Sequence, residues 1–190
     1  QITEEEIINI VNTAEKQGSI KKMEKRLIKN IFKFDDLDAY TIGTPKTDMV
    51  AVEAKTPVKE VVKLMISKGH SRLPIYKKDS DHIVGIVHVK DILTHIEGKD
   101  KNKSISRYMS KPFFVPDVIK VSRLLREFQR RKGHMAIMVD EHGVITGIVT
   151  LEDVLEEIVG EIIDETDLSF PNIKKVPGRK AWIIKGKAPI

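Results

Sequence analysis

The sequence contains no cysteine, which excludes disulfide bonds and thiolate metal sites and fits a reducing compartment. Long hydrophobic runs are also missing, since the longest unbroken run is 135–139, whereas a helix needs roughly 20 residues to cross a bilayer. There is no G-x-S-x-G elbow, no Walker loop and no H-E-x-x-H pair. The six histidines show no ligand spacing. We therefore expect neither catalysis nor a metal held by histidine.

What the chain does contain is an ordinary globular composition. Its 190 residues are 41% hydrophobic and 32% charged, which suits one or two compact domains with a sizeable core. The net charge of +5 comes from basic residues spread along the chain, so anionic ligands are permitted but a nucleic-acid partner is not indicated. Because the chain opens on Gln1 rather than methionine, we expect a fragment, with any membrane anchor outside it.

A repeated motif dominates the sequence. Residues 147–153 read GIVTLED, and residues 85–91 read GIVHVKD. At an offset of 62 the match runs without a gap from 74–93 onto 136–155, and the helices upstream repeat at an offset of 63. Each unit is predicted to run helix, strand, strand, helix. The expected fold is therefore α+β, with two repeats in a pseudo-twofold arrangement.

The same pattern divides the chain into segments. Thr3 and Glu6 make a capping box before an amphipathic stretch, which predicts a helix at the N-terminus. Ahead of the first repeat we expect an extended lead-in up to Thr47, then a helix capped by Thr56, and a closing helix that runs to about Ile96. The predicted segments are a helical hairpin at 1–34, repeat one at 35–98, repeat two at 99–168, and a linker with the start of a further domain at 169–190.

Apolar residues at helical spacing mark the helix upstream of each motif. They are Val61, Val62, Leu124 and Leu125. Faces of this kind carry more apolar surface than one pair of repeats is expected to cover, so the chain is predicted to form a homodimer.

Thr150 and Asp153 are three residues apart at a predicted helix start, and this spacing has two interpretations. It resembles a capping box. It also suits a nucleotide site, because a carboxylate can accept hydrogen bonds from both ribose hydroxyls while a threonine hydroxyl and backbone amides meet a phosphate. Asp91 occupies the same place in repeat one, although His88, which we expect to be a poor cap, stands where Thr150 would be. Capping alone therefore explains the two aspartates less well.

Two charged stretches have both an ordinary and a functional interpretation. Arg123, Arg126 and Arg130 form a basic stripe, extended by Arg131 and Lys132, which fits a solvated helix face or contact with triphosphate, RNA or acidic lipid. The acidic residues of 156–167 fit the outer face of a helix or an attraction for magnesium.

These motifs resemble a tandem pair of CBS (cystathionine beta-synthase) domains, whose motif is a glycine, two apolar residues, Ser or Thr, two variable residues and Asp. More narrowly, the chain resembles the CorC/CNNM, or hemolysin-like, family of magnesium and cobalt transport proteins, which carries a helical hairpin before the pair and a small CorC/HlyC-type domain after it. The resemblance covers about 44–164. It rests on Thr44-Pro45, on 71–74 (SRLP), on 134–137 (HMAI), and on 147–153 followed by 156–161 (EEIVGE).

The resemblance implies an adenine nucleotide, AMP or ATP with magnesium, in the cleft between the repeats. Repeat one departs from the motif at His88, so the resemblance does not extend a second nucleotide to Asp91. The implied site residues are Thr44 on the adenine side, Arg72 and Pro74 on a segment lining the pocket, and Thr150 and Asp153 at the ribose and phosphate.

Regulation is the function that this resemblance implies. A module on the cytoplasmic face of the membrane would bind the nucleotide, perform no catalysis, and control a divalent-cation transporter or efflux domain that precedes Gln1 in the same chain. Two other interpretations stay open. One is the regulatory module of a soluble metabolic enzyme, and the other is a structural dimerisation unit that binds no nucleotide.

Overall fold

In the computed structural model, residues 2–96 and 100–160 are described in full, and two strands beyond them are described by their backbone. No helix in these ranges is both long enough and apolar enough to span a bilayer. The helices are α1 (Glu4–Lys16), α2 (Lys22–Phe34), α3 (Ala39–Ile42), α4 (Val58–Lys68), α5 (Val89–Leu93), a 3-10 helix (Ile105–Arg107), α6 (Val121–Arg131) and α7 (Leu151–Val159). The strands are β1 (Thr44–Pro45), β2 (Val52–Glu53), β3 (Arg72–Lys77), β4 (Asp79–His88), β5 (Phe114–Pro116), β6 (Met135–Val139), β7 (Ile145–Thr150), β8 (Ile173–Lys175) and β9 (Trp182–Ile184).

Each repeat folds into one small sheet covered by its own helices. Repeat one forms the sheet β2-β3-β4, and repeat two forms β1-β7-β6-β5. In both, a short parallel strand precedes an antiparallel hairpin, as β2 does for β3-β4 and β5 does for β6-β7. The predicted α+β fold with two helix-strand-strand-helix repeats is confirmed. Strands β8 and β9 form an antiparallel hairpin of their own, whereas the acidic residues predicted for 161–167 lie outside the described ranges.

The predicted N-terminal hairpin is present. Thr3 caps α1 in a capping box with Glu6, as its sequence indicates. Helix α2 packs against α7 of repeat two, where the side chain of Asn30 donates a hydrogen bond to the backbone carbonyl of Ile158 at 3.1 Å. The hairpin is thereby fastened to the second repeat rather than to the first, which it precedes in sequence.

The segment expected to be an extended lead-in contains a helix, so that prediction is wrong in part. Asp38 caps α3 by accepting a hydrogen bond from the backbone N–H of Thr41 at 2.9 Å. Ala39, the first residue of this short helix, is fully buried in the core of repeat two. After α3 the chain is extended in β1, which joins the edge of the second sheet rather than the first.

Matching bulges in the two hairpins allow the sheets to share a core. In β4 the register skips Val84, and in β7 it skips Thr146, so two isoleucines that are three positions apart across each bulge face the same side of their sheet. These four isoleucines form a third buried cluster together with residues of β6. They are Ile83, Ile86, Ile145 and Ile148.

Two helix boundaries of repeat one differ from expectation. Helix α4 begins at Val58 with Pro57 as its N-cap, so Thr56 is not the cap. Helix α5 ends at Leu93 rather than near Ile96. It stops there because His95 turns away to contact Asp100, at 3.2 Å, and the ring of Tyr108, at 4.4 Å between centroids. The chain then returns to repeat one, where Ile105 is fully buried in the first core.

The apolar helix faces from which a homodimer was predicted are used within the chain. Val61, Val62 and Leu124 are buried in the cores of their own repeats, and Leu125 is partly buried against the second core. The reason given for a dimer is therefore wrong, because two sheets and the shared cluster between them supply enough surface to cover these faces. The dimer itself stays a prediction and needs other surfaces.

Candidate functional site

The motif of repeat two forms the start of α7. The hydroxyl oxygen of Thr150 accepts a hydrogen bond from the backbone N–H of Asp153 at 3.2 Å, and Oδ2 of Asp153 accepts one from the backbone N–H of Thr150 at 2.7 Å. This reciprocal pair is a complete capping box. The capping interpretation is confirmed, so any ligand role must be compatible with it.

The capping box leaves binding capacity at the helix start. Asp153 uses only Oδ2, and its other carboxylate oxygen, Oδ1, has no protein partner among the described residues. In the first turn of this nine-residue helix the backbone N–H of Leu151 donates to the carbonyl of His134 at 3.0 Å, whereas that of Glu152 has no partner among the described residues, and the helix dipole favours an anion beside it. The two side chains can therefore cap α7 and meet a ligand at the same time.

A cavity of about 250 Å³ opens at this helix start and is here termed the Thr150 pocket. It brings together four of the five predicted site residues, from both repeats. Pro74 is not among them, because it is buried within β3 opposite Ile86. The lining residues are Thr44, Asp48, Val50, His70, Arg72, Leu73, Met135, Ile148, Thr150 and Asp153.

Thr44 reaches the pocket because β1 lies directly on β7. Thr44 pairs with Ile148, and Pro45 pairs with Gly147. The approach is so close that a Cβ atom on Gly147 would overlap the backbone carbonyl of Thr44 and lie 2.9 Å from Cε of Met138. Packing therefore requires the glycine that opens the motif, since it lets β1, which precedes the first sheet in sequence, reach the site of repeat two.

Arg72 is contributed by repeat one and points toward the start of α7. Its Nη1 atom lies 3.6 Å from Oε1 of Glu152, the second residue of that helix. Because the side chain of Glu152 is 63% exposed, this ion pair contributes at most about 1 kcal/mol to stability. Its consequence is positional: it holds a guanidinium beside the Thr150 pocket.

Three polar or flexible lining residues were not predicted. Asp48, His70 and Met135 belong to no part of the motif pair that indicated the site. Asp48 follows β1 in a turn closed by a hydrogen bond from its N–H to the carbonyl of Pro45 at 3.0 Å. Asp48 is brought there by the crossing of β1 onto the second sheet, Met135 by its pairing with Thr150 in β6-β7, and His70 lies just ahead of β3 in repeat one. No local signal in the sequence reveals that these three residues meet.

The matching position of repeat one is capped differently. Nδ1 of His88 accepts a hydrogen bond from the backbone N–H of Lys90 at 3.1 Å, so the expectation that His88 is a poor cap is wrong. Burial, and next the nearby guanidinium of Arg72, holds the pKa of His88 below its usual value, which keeps Nδ1 able to accept. Asp91 is exposed and lines neither the Thr150 pocket nor the cavity at the matching position of repeat one.

A second and larger cavity, of about 720 Å³, lies at the matching position of repeat one and is here termed the basic cleft. Ser110 occupies the position in this cleft that Thr44 occupies in the Thr150 pocket. Ser110 forms a β-bridge with Ile86 of β4, and Thr44 pairs with the matching residue of β7, Ile148. Its lining residues are Arg72, Ile86, His88, Lys90, Ser110, Lys111, Pro112, Phe113, Arg131, Lys132, Gly133, His134 and Met135.

The basic stripe of α6 divides between solvent and this cleft. Arg123, Arg126 and Arg130 line neither cavity, and Arg130 donates a hydrogen bond to Glu127 at 2.7 Å. Only the extension of the stripe, Arg131 and Lys132, lines the basic cleft. Across the described ranges, no group of three or more acidic or histidine side chains is placed to hold a metal ion.

Comparisons with known proteins agree with this architecture. The family model for the CBS domain matches residues 39–98 and 105–160. Among curated relatives, the UPF0053 protein Mb2387c of Mycobacterium bovis is 36% identical over 191 residues, which is 99% of this chain and 44% of that protein. The chain thus spans less than half the length of this relative.

Solved structures of CBS pairs match the chain closely. The CBS domain of a bacterial CNNM/CorC family Mg²⁺ transporter is 39% identical, with a TM-score of 0.78, over 86% of this chain and 100% of that one. A structure described in the same words, in complex with ATP, is 41% identical, with a TM-score of 0.69, over 73% and 99%. A CBS-domain pair from Klebsiella pneumoniae with bound AMP is 32% identical, with a TM-score of 0.58, over 65% and 99%.

Proposed function

Since the chain belongs to the CBS domain family, as a tandem pair of the CNNM/CorC type, we propose that it is a regulatory module that binds an adenine nucleotide. The ligand is AMP, or ATP with magnesium, and the site is the Thr150 pocket. The module performs no catalysis of its own. It transmits nucleotide occupancy to a divalent-cation transporter or efflux domain of the same chain, at the cytoplasmic face of a membrane.

One observation carries the proposal. Thr44, Arg72, Thr150 and Asp153 are separated by up to 109 positions in sequence, and the fold brings all four to one cavity at a helix start. Two of them come from the segment before repeat two and two from its motif. Capping of α7 requires Thr150 and Asp153 but does not require a threonine and an arginine from elsewhere to face them.

Each side chain suits a different part of a nucleotide. The free Oδ1 of Asp153 can accept hydrogen bonds from ribose hydroxyls, and charged acceptors make the stronger bonds. The N-terminus of α7 and the guanidinium of Arg72 favour phosphate. Thr44, across the cavity on β1, is placed for the base. At about 250 Å³ the pocket is just smaller than the roughly 300–1,000 Å³ of most small-ligand sites, so we expect the phosphates to project beyond it.

Regulation requires two arrangements of the module that differ in affinity for the nucleotide. The pocket is suited to this because its walls come from both repeats, so a small change in their relative position alters the site. A transporter as the regulated domain is supported by the solved relatives described as CNNM/CorC family Mg²⁺ transporters, and the 44% coverage of Mb2387c shows that a relative of this chain carries further sequence. The regulatory module of a soluble enzyme is the alternative that remains.

The test is direct identification of the ligand. Purified chain is denatured, and the released small molecules are identified by mass spectrometry; the nucleotide-free chain is then titrated calorimetrically with AMP and with ATP and magnesium. We expect an adenine nucleotide bound about once per chain. Absence of released nucleotide together with no measurable binding of either ligand would overturn the proposal and favour a purely structural dimerisation unit.

A further inference from the structure

The basic cleft gathers positively charged side chains around one open cavity. Its walls carry five cationic side chains, Arg72, Lys90, Lys111, Arg131 and Lys132, and no carboxylate from the described part of the chain is among them. Arg72 and Arg131 are each paired with a glutamate, Glu152 and Glu127, outside the lining. The three lysines have no ion-pair partner among the described residues. Like charges gathered in this way repel one another unless an anion binds between them.

Lys132 occupies a backbone position that is unfavourable for any residue other than glycine. Lys132 ends α6 in the left-handed region, with φ of 52°, where a non-glycine residue is strained. Gly69, the matching residue of repeat one at the offset of 63, ends α4 in the same conformation without that strain. Repeat two thus has a lysine at a position where its own counterpart has glycine, and that lysine lines the cleft.

Features that would recognise a nucleoside are missing from the cleft. Asp91, which matches the pocket residue Asp153, is exposed and does not line it. The aromatic wall, Phe113, is covered by the guanidinium of Arg131 at 4.3 Å from the ring centroid, and its ring meets Phe128 edge-on at 6.2 Å. The hydroxyl of Ser110 donates to the backbone carbonyl of Ile86. A base would have to displace Arg131, and a ribose would find no carboxylate within the described residues.

We propose that the basic cleft is a second ligand site, distinct from the Thr150 pocket, which binds a compact chain of phosphate groups without recognising a nucleoside. The volume of about 720 Å³ lies within the range of small-ligand sites, which suits a short polyphosphate rather than a macromolecule. Arg72 lines both cavities. An anion in the cleft therefore competes with the Thr150 pocket for one guanidinium, and the two ligands weaken each other.

Inorganic triphosphate is the probe. We expect calorimetric binding that weakens as salt rises from about 50 to 200 mM, because the contacts are charge-based. The double variant Lys111→Ala, Lys132→Gly should lose roughly tenfold or more in affinity, since it removes two charged contacts. Glycine suits the backbone at position 132, so thermal unfolding should show a folded protein. Lys68→Ala, at the end of α4 and outside both cavities, is the matched control and should bind triphosphate as the wild type does.

Two further arms separate this site from the Thr150 pocket. Thr150→Val should leave triphosphate binding intact, and the double lysine variant should leave AMP binding intact. Adenosine, which carries no phosphate, should not displace triphosphate from the cleft. The proposal is wrong if triphosphate fails to bind the wild type, if Thr150→Val abolishes its binding while the lysine variant retains it, or if adenosine displaces triphosphate from Thr150→Val.

Discussion

Asp153 has one carboxylate for two tasks, since Oδ2 caps the helix and Oδ1 is available to a ligand. Asparagine keeps the shape and much of the capping ability of aspartate but loses the charge. We predict that Asp153→Asn weakens adenine-nucleotide binding roughly 10- to 100-fold, which corresponds to a lost charged hydrogen bond of about 1.5 to 3 kcal/mol, while stability changes little. Calorimetric titration and urea unfolding of the same preparations measure the two effects.

Asp91→Asn is the internal control for that prediction, because Asp91 matches Asp153 in sequence but is exposed outside both cavities. It should leave nucleotide affinity close to that of the wild type. Thr150→Val, in contrast, removes the hydroxyl that faces the pocket and should behave like Asp153→Asn. Unchanged affinity in Asp153→Asn, or a larger loss in Asp91→Asn, would rule out the assignment of the site to α7.

Gly147 affects the site because the backbone of Thr44 in β1 packs directly against it. In Gly147→Ala the new methyl group would overlap the carbonyl of Thr44 and displace β1. We predict a loss of about 1 to 3 kcal/mol of stability from this overpacking, together with weaker nucleotide binding because Thr44 moves. Gly133→Ala is the matched control, since its methyl group would lie 3.7 Å from Phe128 in ordinary contact. Equal unfolding midpoints for the two variants would contradict the close approach.

The sequence predicted the site residues that belong to the repeated motif or to a family resemblance. It did not predict those that reach the Thr150 pocket only through tertiary contacts. Thr150 and Asp153 are marked by their spacing at a helix start, and Thr44 and Arg72 by resemblance to a family. Asp48 reaches the same cavity because β1 joins the second sheet, and His70 reaches it from repeat one, just ahead of β3. Pro74 has the right sequence neighbours, but its side chain is buried in β3.

At the scale of elements, the two motif helices differ in how they are capped, and this difference makes stability depend on pH. The pKa of His88 is lower in the folded chain than the unfolded value of about 6.5. The unfolded chain therefore binds more protons near that pH, and the free energy of unfolding falls as pH drops below about 6.5. Above that value the contribution of the neutral ring is fully present.

We predict that His88→Asn reduces this loss of stability between about pH 7.5 and pH 5.5, because asparagine can cap α5 and does not titrate. Urea unfolding at both pH values measures the difference. His142→Asn, which changes an exposed histidine in the turn before β7, is the control and should lose as much stability as the wild type. A steeper loss in His88→Asn than in the wild type would reverse the sign and refute the cap described here.

Long periodic helices and alternating strands were predictable, whereas short elements held by tertiary contacts were not. Helix α3 has only four residues, which is too few to show a period, and it forms because Ala39 is buried and Asp38 caps it. Helix α5 ends early because His95 contacts the returning chain at Asp100. In both cases contacts from distant residues override local propensity.

At the scale of the molecule, the two repeats are interleaved rather than placed in sequence. Strand β1, near the start of repeat one, pairs in the sheet of repeat two, and Ile105, near the start of repeat two, fills the first core. This crossing explains why each cavity has walls from both repeats. It also explains why apolar positions that suggested an uncovered surface, such as Val61 and Leu124, are buried in the folded chain.

The predicted homodimer must use apolar side chains that remain exposed. Ile66 on α4 is 71% exposed, Leu93 on α5 is 48% exposed, and Leu155, the repeat-two match of Leu93, is 43% exposed on α7. The first two lie on helices that pack against each other, so they belong to one layer of repeat one. Association through the helical layers would remove these side chains from water.

We predict that light scattering at high protein concentration gives about 43 kDa, twice the 21.6 kDa of the chain. The double variant Ile66→Glu, Leu93→Glu should give the monomer mass, because a charge placed in an apolar interface has no partner there. Val118→Glu is the matched control: Val118 is also 71% exposed, but it lies in the loop before α6, and this variant should remain dimeric. A wild-type mass near 21.6 kDa would exclude the dimer, and a monomeric Val118→Glu would move the interface away from α4 and α5.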